Sequence, residues 1–243
     1  MRTYLALTRV QLKLFSREPI ALFFTLLFPL LFLFMQGATS DNAPEIAYNG
    51  FGDIDAMVPG LTAIIIGTVA LMTIPVATAG AREKQILRRL KASPMRPWHY
   101  LAADITSNYL VALAGMILLV IVAKFAFGLR LGGSPFDIFL AFSLSMFAFA
   151  AFGYTIASLS PTTRVAQVAG ALLFFPMMFM GTLPPSALPE LLQNIRQWLP
   201  LTQIVALLQT LWFGQGWENS SVFYLLGMLI ISSLVATFTF RWE

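Results

Sequence analysis

The sequence predicts an all-α membrane protein with six transmembrane helices, and three observations predict it. Of the 243 residues, 58% are hydrophobic and only 11% are charged, against roughly 25% charged in a soluble domain. The charges leave long windows empty, each close to the ~20 apolar residues that a helix needs to cross hydrocarbon. The basic residues then gather on one side of those windows, as the positive-inside rule requires. The chain has no cysteine, which excludes disulfide scaffolds, thiolate metal sites and thiol redox chemistry.

Uncharged windows run over residues 19–40, 56–81, 105–123, 138–163, 165–189, 197–217 and 219–240. The sixth differs from the rest. It holds Gln197, Thr202, Gln203, Gln209 and Thr210 and is interrupted by Pro200. Pro184, Pro185 and Pro189 precede it, and proline removes a backbone donor and clashes with the preceding helical turn. Trp198, Trp212 and Trp217 are of the type that settles at a membrane interface. Residues 183–216 are therefore expected to form a broken, re-entrant helical hairpin between the fifth and sixth spans. Such backbone is tolerated at depth only where protein or a wet cavity surrounds it. A seventh plain span is the alternative.

With six spans and both termini cytoplasmic, the inside holds Arg2, Arg9, Lys13 and Arg17, then Arg82, Lys84, Arg88, Arg89, Lys91 and Arg96, then Arg164 and Arg241. Lys124, Arg130 and Arg196 fall outside. The first external loop, residues 37–55, has no Lys or Arg and four acids. The expected location is the cell membrane. The first apolar stretch, which follows the basic residues, is read as a retained span and not as part of a cleaved signal.

Two amphipathic segments precede spans or follow them. In residues 1–18, Arg2, Arg9, Lys13 and Arg17 fall within about 80° of one another on a helical projection, with Tyr4, Leu7, Val10, Leu14 and Phe15 elsewhere on the cylinder. This is the pattern of a helix lying in the membrane interface, with its cations on lipid phosphates. Residues 82–91 read Arg-Glu-Lys-Gln-Ile-Leu-Arg-Arg-Leu-Lys. Ile86, Leu87 and Leu90 make one narrow apolar ridge ringed by charge, which suits a groove in a soluble partner. A solvated loop that only fixes topology is the plainer reading.

The missing chemistry is also informative. Catalytic and ion-coupling groups inside a membrane are ionisable residues at depth, and the sequence places almost none there. Asp104, Lys124, Asp137 and Arg164 all sit near span ends. The single histidine, His99, lies between Trp98 and Tyr100. No phosphate-binding loop exists, since no Gly-Lys dipeptide occurs in the chain. No catalytic residue, metal or bound cofactor is expected here, and no nucleic acid partner. Energy for uphill movement would have to come from another protein.

On these residues the chain resembles the type-2 integral membrane permeases of ATP-binding-cassette (ABC) exporters, which include drug, antibiotic and polysaccharide export permeases. The resemblance rests on Arg17-Glu18-Pro19 leading into a Phe-rich span, on Arg82-Glu83-Lys84 followed by Leu87-Arg88-Arg89-Leu90-Lys91-Ala92-Ser93-Pro94, and on Gly181-Thr182-Leu183-Pro184-Pro185 followed by Trp198-Leu199-Pro200-Leu201-Thr202. It implies a single permease domain over residues 1–243, with a coupling helix at 82–92 seated in a separate ABC ATPase. The coupling contacts would be Arg82, Glu83, Lys84, Ile86, Leu87, Arg88, Arg89 and Leu90. Many members carry Gly-Thr where this chain has Gln85-Ile86. The resemblance also implies a second permease copy, identical or related, against the first and fifth spans, with ATP and magnesium held by the ATPase. Ala166, Gly170 and Ala171 would permit close helix packing in the fifth span. Candidate pathway residues are Phe24, Phe28, Phe32, Thr68, Met72, Phe174 and Met178, an aromatic and methionine lining that accepts amphiphilic drug-like molecules or lipids. A glycan, or an ATPase-independent channel or carrier, is the alternative.

Overall fold

The computed structural model describes residues 2–39, 42–45, 48, 50–86, 97–182 and 189–239. Among them every regular element is helical. In chain order these are α1 (Arg2–Phe15), α2 (Pro19–Gly37), α3 (Asp53–Glu83), α4 (Pro97–Phe127), α5 (Pro135–Leu159), α6 (Thr163–Thr182), α7 (Glu190–Arg196), α8 (Pro200–Trp212) and α9 (Asn219–Thr239). Six of them, α2 to α6 and α9, are long and apolar enough to cross a membrane. The chain is a multi-pass, all-α membrane protein, as expected. Leu87, Arg88, Arg89 and Leu90 lie outside the described residues, as do residues 183–188 at the start of the expected hairpin.

The spans alternate in direction, so their ends form two layers. The α1 end gathers the α1–α2 junction, the end of α3, the start of α4, the α5–α6 turn and the end of α9. The opposite end gathers residues 42–52, the α4–α5 loop and α7–α8. The buried post of the bundle is α3, with Ile54, Val58, Leu61, Ile65, Ile66 and Leu71 all at 1% exposure or less. Around it pack α2, α4, α5, α6 and α8. By contrast, α2 and α9 leave most of their apolar surface uncovered, as a protein bathed in lipid does.

Two spans contain a π-helical stretch, Phe23–Leu27 in α2 and Thr68–Thr73 in α3. Each is followed within two residues by a proline, Pro29 and Pro75. A proline denies a donor to the carbonyl four residues before it and crowds that turn, and one wider turn relieves the clash. The carbonyl that Pro75 deprives is that of Leu71. It faces Gly170 of α6, where a Cβ would stand 2.0 Å from the oxygen. The neighbouring Ala70 carbonyl faces Gly153 of α5 in the same way, again at 2.0 Å. Only glycine permits this approach, which turns both carbonyls toward Cα–H groups. Gly170, together with the fully buried Ala166, is thus used for packing within the chain.

The segment before α9 consists of two short helices. The thirteen residues of α8 span about 20 Å at 1.5 Å per residue, well short of the ~30 Å hydrocarbon core. Its face of Leu201, Ile204, Leu207, Leu208 and Leu211 is buried against α3, α5, α6 and α9. Arg196, at the end of α7, donates to the Gly181 carbonyl of α6 at 3.3 Å.

In α1, three faces are distinct. Tyr4, Thr8, Gln11, Leu12 and Phe15 turn toward the bundle. The Tyr4 hydroxyl meets that of Thr106 at 2.7 Å, and Ser107 donates to Gln11 Oε1, which fastens α1 along α4. Arg9, Lys13 and Arg17 are exposed, and so are Leu5, Val10 and Leu14. The apolar residues of α1 are therefore divided between protein contact and open surface.

Candidate functional site

Two places in the bundle concentrate the residues singled out by sequence. The first is the α1 end, where α3 stops. The last two residues of α3, Arg82 and Glu83, are both held by the α5–α6 turn. Arg82 Nη2 donates to the Ala157 carbonyl at 3.2 Å and to the Ser160 carbonyl, at the C-terminus of α5. A cation there offsets the negative end of the helix dipole. Glu83 Oε2 accepts from the Thr163 backbone N–H at 2.9 Å and from its hydroxyl, which satisfies an orphan donor at the N-terminus of α6. Lys84 and Ile86 are exposed. Gln85 takes φ +57°, the left-handed conformation that ends helices and that glycine adopts without strain. The glycine expected at this point by resemblance thus has a local reason, and Gln85 keeps the geometry at a cost of about 1 kcal/mol.

The second place is a cavity of about 310 Å³ lined by α2, α3 and α6. Phe24, Thr68 and Met72 line it, along with Thr73, Val76 and Gln167. Arg17, Glu18 and Pro19 form its edge at the α1 end. Both π-helical stretches contribute residues to its wall. Phe24 continues into a column of rings, with Phe28 at 5.9 Å and Phe32 a further 6.2 Å along α2. Phe174 is elsewhere. It is 1% exposed and fills the space beside Gly67, where a Cβ would stand 2.8 Å from its ring. Met178 is likewise buried in the core. The structure thus brings three of the seven candidate pathway residues to one cavity, extends two along its helix, and places the last two in the packed interior.

Sequence reasoning missed two polar centres. Asp55 counts in the sequence as one more acid of the first external loop, but it is fully buried. Its Oδ2 accepts from Gly52 N at 2.9 Å and Arg130 Nε at 3.0 Å, and its Oδ1 from Arg130 N at 2.8 Å and Asn42 Nδ2 at 3.1 Å. Arg130 also donates to the Asn42 carbonyl, at 2.8 Å. Trp212 Nε1 donates to the Arg130 carbonyl at 3.2 Å, so Trp212, expected at an interface, is 2% exposed inside this clamp. The network joins the loop before α3, the α4–α5 loop and the end of α8. The signal available in sequence was Gly52 three residues before Asp55, a helix-start spacing. Its partner lies 75 residues away. The other centre is Asp104, buried two turns into α4 and accepting from the Tyr154 hydroxyl. Asn108 and Ser107 stand beside it, each donating back to the α4 backbone.

A sequence model of the ABC-2 type transporter family matches residues 2–210. The chain belongs to that family. Two relatives of this ABC-2 chain carry the same name, inner membrane transport permease YhhJ, from Escherichia coli (strain K12) and from Shigella flexneri. Each is 27% identical over 179 residues, which is 72% of this chain and 46% of the relative. The chain therefore spans about half the length of the curated relatives it matches.

Proposed function

We propose that this chain is the membrane-spanning permease subunit of an ABC exporter in the inner membrane, with both termini cytoplasmic and the ATPase on a separate subunit. The observation that carries the reading is the cavity at the α2–α3–α6 junction, open beside Arg17 and Glu18 and walled by Phe24, Thr68 and Met72. An apolar lining with a few hydroxyl and amide groups takes up an amphiphile or lipid from the inner leaflet. Two copies would face each other across α2 and α6, whose outer faces are uncovered. Each would seat the part of the 82–92 segment that follows Glu83, residues 84–92, in one ATPase, which binds ATP and magnesium. Closure of the ATPase pair would tilt the spans as rigid bodies and open the cavity toward the α7–α8 side, where the short α8 serves as re-entrant element. The interface helix α1 would rest its Arg9, Lys13 and Arg17 on lipid phosphates.

A carrier driven by ions is favoured by one observation, the buried Asp104, because an intramembrane carboxylate is a default candidate for ion coupling. Asp104 accepts from Tyr154, and neither residue lines the cavity of Phe24, Thr68 and Met72, so protons bound there would have no direct hold on the contents of that cavity.

Co-purification tests the exporter reading. The wild-type chain is expected to bring down an ABC ATPase co-expressed with it. A Leu87→Asp, Leu90→Asp double variant should insert into the membrane to the same level and lose at least ~90% of the ATPase, since burying two unpaired carboxylates in an apolar groove costs several kcal/mol. Full retention of the ATPase by that variant would remove residues 84–92 as the docking element.

A further inference from the structure

The two charged residues at the end of α3 make their hydrogen bonds within their own chain, although Glu83 is exposed. Arg82 holds the last carbonyls of α5 through Ala157 and Ser160, and Glu83 holds the first N–H and hydroxyl of α6 through Thr163. The turn between α5 and α6 is only Ser160, Pro161 and Thr162, so both span ends are gripped at one point. Gly80, one turn earlier on α3, lies close behind Thr163, with 3.4 Å between a Cβ built there and the hydroxyl. Next up the same helix come the contacts of Ala70 and Leu71 with Gly153 and Gly170. The three spans are thus joined at their ends and again near mid-membrane. A displacement of the chain just after Glu83 cannot move α3 without carrying α5 and α6.

We propose that Arg82 and Glu83 are positioning residues that transmit displacement of the 84–92 segment to the α5–α6 turn, and that they do not contact the ATPase. The proposal deepens the exporter reading and rests on it. It assigns α3, α5 and α6 to one moving body, with the α1–α4 pair, fastened through Tyr4–Thr106 and Gln11–Ser107, as the other. Since α3 and α6 carry two walls of the cavity and α2 the third, that motion changes the cavity directly.

The test uses the purified complex of the chain with its ATPase in lipid nanodiscs. The natural absence of cysteine lets a single Val76→Cys, in the cavity wall, report access to a membrane-impermeant maleimide. In the otherwise wild-type complex, trapping with ATP and vanadate is expected to change the labelling rate about tenfold, a usual size for coupling between sites. Glu83→Lys places a cation against the positive start of α6. It should leave ATPase binding and ATP hydrolysis within about twofold of wild type while abolishing the nucleotide-dependent change in labelling. Adding Thr163→Glu, which restores an opposite-charge pair across the same gap, should recover most of it. Thr163→Val removes only the hydroxyl donor and should give a partial loss, and it serves if Glu83→Lys does not fold. A full labelling response in both Glu83→Lys and Thr163→Val overturns the linkage. Loss of ATPase binding in Glu83→Lys overturns it too, because Glu83 is then a docking contact. A wild-type complex whose labelling ignores nucleotide overturns the exporter reading and the linkage together.

Discussion

Asp55 shows what a single side chain does in this fold. Its carboxylate is fully buried yet accepts four hydrogen bonds and an ion pair from Arg130 at 2.9 Å. A buried charge is tolerable only when paired and fully hydrogen-bonded. Asp55→Ala leaves the Arg130 guanidinium without its counter-ion and frees three segments at the α7–α8 end. We expect a loss of about 1–3 kcal/mol, the usual cost of leaving buried donors without their acceptor, read as a lowered midpoint of thermal unfolding in detergent. Arg130 is more than one-third exposed and Asp55 fully buried, so Arg130→Ala, which leaves the buried carboxylate without its counter-ion, should cost at least as much as Asp55→Ala.

At this scale the sequence was least legible. The chain from Asp55 to Arg130 is 75 residues long, and nothing in local spacing pairs them. Asp104 was hidden in the same way, since a position two turns inside a helix reads as a span boundary when only charge-free windows are counted. Arg82 and Glu83 were singled out for their charge, and their partners within the chain, the Ala157 and Ser160 carbonyls and the N–H and hydroxyl of Thr163, lie 75 to 80 residues away, where no local spacing reveals them.

At the scale of elements, hydropathy was sufficient for the six spans. Burying backbone donors in helices is the only solution for a lone segment in lipid, so length and apolarity fix the element type. The two π-helical stretches were also signalled, by Pro29 and Pro75, although periodicity alone does not distinguish a widened turn from a kink. Their packing gives a sharp prediction. Gly170→Ala in α6 sets a Cβ 2.0 Å from the Leu71 carbonyl, which forces α3 and α6 apart and should cost about 1–3 kcal/mol, as overpacking does. Gly227→Ala in α9 meets nothing within 4 Å and should stabilise by about 0.5–1 kcal/mol, the helix-propensity gain over glycine. Thermal unfolding of the two variants side by side separates contact from propensity. Equal shifts would mean that the close approach at Gly170 contributes nothing.

At the scale of the whole molecule, the scarcity of charge has a location. Ten of the fifteen basic residues lie in residues 1–18 and 82–96, and the described parts of both segments, 2–18 and 82–86, are at the α1 end of the bundle. The cavity opens toward that same end, and α3 runs from its wall to the segment where the charge is concentrated. In this layout a continuous buried helix joins the cavity wall to the segment proposed to dock the ATPase. The family assignment fits this layout, and the amphiphile proposed as substrate would meet the lining of Phe24, Thr68, Met72, Val76 and Gln167.

The central claim is that the cavity changes its access only when an outside ATPase drives it. Met72→Cys, in a chain otherwise without cysteine, can be reconstituted in proteoliposomes and exposed to an impermeant maleimide from either side. The account predicts labelling from the α1 side without nucleotide. With ATP and vanadate, labelling should move to the opposite side only when the ATPase is bound. Labelling that ignores ATP and ATPase, or that switches with an ion gradient alone, would contradict it.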